Sequence, residues 1–249
     1  MIAMKKLDVV ILSLSLIVSF GLGGYLIGKS IENFRTGDRT ILVKGFAERE
    51  VKADLAVWNI SCSAASNDLT EVAKRIEHDQ KKIVDFLISK GIGKDEIINR
   101  EIRVHDKLAN EYGGYDNVNF RYVVVKVLQV RSSNVDKVQE VSRLTDELVQ
   151  AGVVISQNDY SNNLQYYFTK LNEIKPKMLT EATQNAQEAA ATFAAESKVK
   201  LGKLKKANQG LFTIVDRDQS LSGGDAYAGG NADIMKRIRV VISVEYSIK

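Results

Sequence analysis

Apolar residues fill the first stretch of the chain without a break and afterwards recur with two different periods. From Val9 to Ile27 no side chain ionises. A helix of that length covers about 28 Å, close to the hydrocarbon thickness of a bilayer. One transmembrane helix is therefore expected, with residues 1–29 as a cytoplasmic stub and anchor, 30–39 as a polar tether and 40–249 as the folded body. In that body Ile41–Phe46 and Leu55–Ser63 are β-rich pieces interrupted at Gly45 and at Ala53-Asp54. They read as one bent strand or as a pair.

Ser66-Asn67-Asp68 supplies capping residues, with Asp68 and Glu71 at capping-box spacing. Leu69, Val72, Ala73, Ile76, Ile83, Phe86 and Leu87 then share one helical face that Gly91 closes. Glu96–His105 and Phe120–Arg131 are strand-like runs, joined by the glycine- and asparagine-bearing segment 110–117, and should pair antiparallel. Asn134 caps a second predicted helix over Val135–Ala151, ended by Gly152. Val153–Ile155 and Leu164–Phe168 follow as an extended segment with a polar interruption at Ser156–Asn163.

A third helix is predicted from Asn172 to Val199, with Asn172 as cap so that Pro176, the one proline, falls in the first turn. Leu179, Ala182, Ala186, Ala189, Ala190 and Phe193 form its core stripe. Lys203–Asp216 and Ile234–Ile248 are the closing strands around a Gly/Ser/Ala-rich loop at Gln219–Asp233. The fold class is α+β, antiparallel sheets packed against helices in the order β-α-β-β-α-β-α-β-β. That order suggests two βαββ-like units joined by a helix.

Composition narrows the function. Lys5 and Lys6 precede the apolar run, while Lys29 and Glu32 follow it. The basic bias leaves the N-terminus in the cytoplasm and exports the body. Cleavage as a signal peptide is the alternative, although no A-x-A pattern occurs. Residues 1–29 account for half of the formal charge of +4, so the exported part is too nearly neutral for a nucleic-acid surface. Cys62 is the single cysteine, which excludes an intramolecular disulfide and reads as a small buried hydrophobe.

The letters G-x-x-x-x-G-K-S occur at Gly23 to Ser30, but they close the uninterrupted apolar stretch instead of joining a strand to a helix, so they do not read as a phosphate cradle, and no G-x-S-x-G occurs. His78 and His105 lack partners at zinc-ligand spacing. Asp216-Arg-Asp-Gln-Ser-Leu fails as a calcium loop, because Leu221 stands where the turn glycine belongs and Tyr227 where the bidentate acid belongs. Among carboxylates, Asp95, Glu96, Glu147 and Asp159 are candidates for convergence in a cleft. Lys198, Lys200, Lys203, Lys205 and Lys206 make the densest basic patch, either a solvated face or a contact for anionic headgroups. No catalytic, cofactor-binding or metal residues are assigned, and no cofactor is expected.

Ile41-Leu-Val-Lys-Gly-Phe-Ala-Glu-Arg-Glu-Val-Lys-Ala-Asp-Leu-Ala-Val-Trp resembles the opening of the SIMPL (DUF541) family, a strand, a V-x-G-x-G/A-like turn and a P/A-D-x-A strand. Gly91-Ile92 before Glu96-Ile97, Arg121-Tyr122, the alanine-rich 182–195 and Arg239-Val-Val fit the same pattern. Leu171-Asn-Glu-Ile-Lys-Pro-Lys-Met-Leu and Ala207-Asn-Gln-Gly-Leu-Phe resemble a membrane-anchored bacterial subgroup. One departure is Ala47, which replaces the second glycine of the turn and argues against a backbone approach there.

The resemblance implies an α+β protein of the bacterial envelope, usually periplasmic. Some relatives form ring-like or channel-like oligomers, and some are associated with oxidative or envelope stress. The resulting expectation is a non-enzymatic protein of the inner membrane, single-pass, with its C-terminal domain in the periplasm. It would act as a self-associating scaffold or binding module, without nucleic acid. A channel-like assembly and a hydrolase or ligand-sensing enzyme using acids in a cleft are the alternatives.

Overall fold

The computed structural model describes residues 6–37, 39–109, 119–156, 164–219 and 231–248. Helix α1 spans Lys6–Gly37, followed by β1 (Thr40–Lys52), β2 (Leu55–Ser66) and α2 (Leu69–Ser89). A 3-10 turn at Lys94–Glu96 leads into β3 (Ile97–Asp106), β4 (Tyr122–Ser132), α3 (Val135–Ser142) and α4 (Asp146–Gln150). The chain continues as β5 (Leu164–Tyr167), α5 (Leu171–Glu196), β6 (Leu201–Asp216) and β7 (Met235–Ile248).

The α+β class holds. The strands form a three-stranded sheet, order β1-β7-β6, and a four-stranded sheet, order β3-β4-β2-β5. Two compact units divide the chain, one of residues 1–47, 177–211 and 240–249, the other of 48–176 and 212–239.

In the larger unit, β2 pairs antiparallel with both β4 and β5, and β3 pairs antiparallel with β4. Inward residues of β2 (Trp58, Ile60, Cys62), α2 (Val72, Ile76, Ile83, Leu87) and β4 (Val124, Leu128, Val130) make one core with Val138, Val141 and Leu148. Each large aliphatic buried there contributes roughly 1.5–3 kcal/mol. Asp68 caps α2 as its sequence predicts: its carboxylate accepts from the N–H groups of Thr70 at 2.7 Å and Glu71 at 3.2 Å. Glu71 does not complete a capping box; its carboxylate accepts from the Ser66 hydroxyl.

In the smaller unit, Met178, Ala182, Ala186, Ala190 and Ala194 are the buried residues of α5, a stripe at spacing four. Phe193, expected in that stripe, is exposed. Small side chains allow a close approach. A Cβ built on Gly45 would overlap the Ala182 carbonyl and stand 2.6 Å from the Ala186 nitrogen. The Asn185 side chain donates to the Phe46 carbonyl at 2.8 Å, tying the helix to β1.

Several expectations are corrected. Gly45 does not interrupt β1, which runs through it, because the missing side chain serves helix approach rather than a bend. The break falls at Ala53-Asp54 and sends β1 and β2 into different sheets. The expected second βαββ unit is not self-contained, since β5 pairs with β2 while β6 and β7 share a sheet with β1. Val135–Ala151 is two helices: the Ser142 hydroxyl donates back to Gln139 O and the Thr145 hydroxyl to Ser142 O, an alternative to continued helix. Helix α5 starts at Leu171, so Pro176 lies beyond the first turn, removing one ladder bond.

The tether expected at 30–39 is helical to Gly37, there being no proline or earlier glycine between Ser30 and Thr36 to stop α1. Among the described residues, no helix is long and apolar enough to cross a membrane.

Candidate interaction surfaces

Two of the sequence candidates for chemistry, Glu96 and Glu147, already have partners. Glu96 accepts from the Gly93 N–H at 2.8 Å, and Glu147 pairs with Lys90 at 2.7 Å. Asp95 is exposed, and Asp159 lies outside the described residues. Among the described residues no group of three metal-ligating side chains forms. His105 is exposed, and His78 borders an open cavity of about 550 Å³ on the outer face of α2 with Lys74, Glu77 and Lys81. Most of the glycine-rich loop lies outside the described residues. Its two ends meet at Asp216, whose carboxylate accepts from the backbone of Ala232 and Asp233 and from the buried ammonium of Lys236.

Cys62 is fully buried, as its place in an alternating strand predicted. Burial, reinforced by the charge of Asp79, pushes its thiol up to about 11. It is therefore a protonated, unreactive core side chain at neutral pH. Asp79 was missed: it sits on the apolar face of α2, 3 % exposed, with one carboxylate oxygen lacking a hydrogen-bond partner among the described residues.

Two surfaces remain. Strand β6 lies at one end of its sheet order, next to β7 alone, and Lys203 to Gln209 are exposed along it. Leu204 and Leu211 are also exposed, the latter at 90 %. Leu42, Lys206, Asn208, Ser243 and Glu245 surround a cavity of about 240 Å³ on this sheet.

The other surface is the face of the four-stranded sheet opposite the Trp58, Ile60 and Cys62 side. In β3 the register jumps from Asn99 opposite Leu128 to Ile102 opposite Lys126, so Arg100 and Glu101 together oppose Val127. This is a β-bulge, which turns both side chains over the sheet. Arg100 donates from Nε and Nη2 to Gln129 Oε1, at 3.1 and 2.5 Å. Gln129, 8 % exposed, passes the interaction on from Nε2 to Asn59 Oδ1 at 2.8 Å. Arg103 and Glu101 form an ion pair at 2.9 Å beside them. With Val127 these residues line a cavity of about 430 Å³. The sequence held one sign of it, the polar run Asn99-Arg100-Glu101 breaking the alternation of a strand.

Two antiparallel sheets backed by helices define an α+β protein. The chain belongs to the SIMPL family (protein of unknown function, DUF541), whose model matches residues 41–246. No curated protein matches the chain.

Proposed function

We propose that this SIMPL protein is a non-enzymatic, membrane-anchored binding module that faces the periplasm and self-associates through its sheet edges. The observation that carries the reading is the edge strand β6, exposed from Lys203 to Gln209 and followed by the exposed Leu211. Unpaired N–H and C=O groups on such an edge accept another strand. Lysines at 203, 205 and 206 restrain indiscriminate pairing there.

Support for the anchor comes from α1. Leu16, Ile17, Phe20, Leu22, Leu26 and Ile27 are all exposed around the helix, and the uncharged run extends back to Val9 in the sequence. A helix apolar on every side needs an apolar surrounding. Lys5 and Lys6 orient it with the N-terminus inside.

Sedimentation of the full chain in detergent micelles tests the reading. Assemblies larger than one chain are expected, reduced by Leu204→Lys with Leu211→Lys. A monomer at every concentration overturns self-association, and protease access to the body from the cytoplasmic side overturns the orientation. A role in envelope stress is supported by the family resemblance and by no feature of the site.

A further inference from the structure

We propose that the β3 bulge builds a binding site for a small oxyanion, a carboxylate or phosphate group, with Arg100 as its charged contact. The inference is independent of the edge-strand reading.

A strand in register would send Arg100 and Glu101 to opposite faces, whereas the extra residue sets both against Val127. Arg100 is then held by hydrogen bonds rather than by a counter-charge. Its Nε and Nη2 both donate to Gln129 Oε1, and Gln129 is itself fixed by donating to Asn59. The relay crosses three strands and determines which way the amide of Gln129 faces. A flipped amide would set N–H against the guanidinium and oxygen against the Asn59 oxygen.

Charge completes the case. Glu101 is the one carboxylate in the lining, and it is paired with Arg103. Arg100 has no carboxylate partner among the described residues, so the lining carries one uncompensated positive charge. A guanidinium carries five N–H donors in a planar fork. Nε and Nη2 donate to Gln129, and the remaining N–H groups are the donors offered to a ligand oxygen. The volume of about 430 Å³ falls within the ordinary range of small-ligand sites. Val127 gives the cavity an apolar floor for the body of such a ligand.

The test follows the Arg100 Nε–H resonance of the full chain in detergent micelles during titration with sodium phosphate and, separately, sodium acetate at constant ionic strength. A saturable shift is expected, and the stronger of the two probes identifies the oxyanion class. Arg100→Gln should remove the saturable response from neighbouring Gln129 and Asn59 side-chain amides. Gln129→Glu is the sharper variant, because it keeps Arg100 in place while supplying an internal carboxylate. It should weaken binding by about tenfold or more, the scale of one charge-assisted hydrogen bond. Thermal unfolding at the parent temperature confirms that each variant folds. A non-saturating response in the parent chain, or equal affinity in the parent and Gln129→Glu, overturns the proposal.

Discussion

Gly45→Ala adds one methyl group at the point where β1 meets α5. The new Cβ would overlap the Ala182 carbonyl oxygen and lie 2.6 Å from the Ala186 nitrogen and 2.7 Å from its Cβ. Ordinary contacts to such atoms begin near 3.4 Å. Two of the three obstructing atoms are main chain, so no rotamer change relieves the overlap, and α5 must move by about an ångström or more. Its stripe of Met178, Ala182, Ala186, Ala190 and Ala194 is fully packed and would lose contact along its length. Overpacking of this kind costs typically 1–3 kcal/mol, and main-chain obstruction puts this site at the upper end, about 3 kcal/mol. For a chain of this size that corresponds to a fall in melting temperature of roughly 6–12 °C. Urea unfolding followed by circular dichroism measures it, with Ala186→Gly in the Gly45→Ala background recovering only part, since the Ala182 carbonyl remains. A Gly45→Ala protein within 0.5 kcal/mol (about the scatter of neutral surface substitutions) of the parent would refute the close-approach reasoning.

Three further outcomes follow from the larger unit. Asp216→Ala leaves Lys236, 1 % exposed, without its ion partner; removing one member of a buried pair costs about 3–5 kcal/mol, and adding Lys236→Met should recover the ion-pair share in chemical denaturation. The Cys62 thiol is raised to about 11, so its contribution to stability is complete below the unfolded thiol value of about 8.5 and is lost as pH climbs through the folded one; unfolding free energy should fall over that window in the parent and not in Cys62→Ala, and iodoacetamide at pH 8 should label only unfolded chains. Asp106 is held below the usual carboxylate range, first by its hydrogen bond from Arg121. Its contribution is therefore present above the unfolded value of about 3.9 and lost as pH falls through the lower folded one, and Arg121→Gln should raise the Asp106 midpoint, read by NMR, toward the ordinary value.

What the sequence showed depended on the range of the interaction. The Asp68 cap is an affair of three residues, written in the order of side chains, and the structure forms it. The inward alternation of β2 and the antiparallel pairing of β3 with β4 were equally legible, since period-two patterning and a connecting loop suffice. Gly45 was read as a local breaker because nothing nearby in sequence announces α5, more than a hundred residues later. The pairing of β5 with β2 has the same origin: four residues of strand carry too little pattern to choose between two sheets. Asp79 defeated the face assignment of α2 outright, because a carboxylate at an apolar position looks like a polar residue at the margin. The bulge at Asn99–Ile102 was visible only as a flaw in an otherwise regular strand.

The sheet order β1-β7-β6 sets the first strand beside the last, and the Ile248 N–H donates to the Arg39 carbonyl at 3.1 Å. A nascent chain leaving the ribosome N-terminus first thus carries β1 without its eventual neighbour until Met235–Ile248 has emerged. Closure of this sheet therefore waits on the synthesis of β7, and any product that stops short of Met235 retains an unzipped β1.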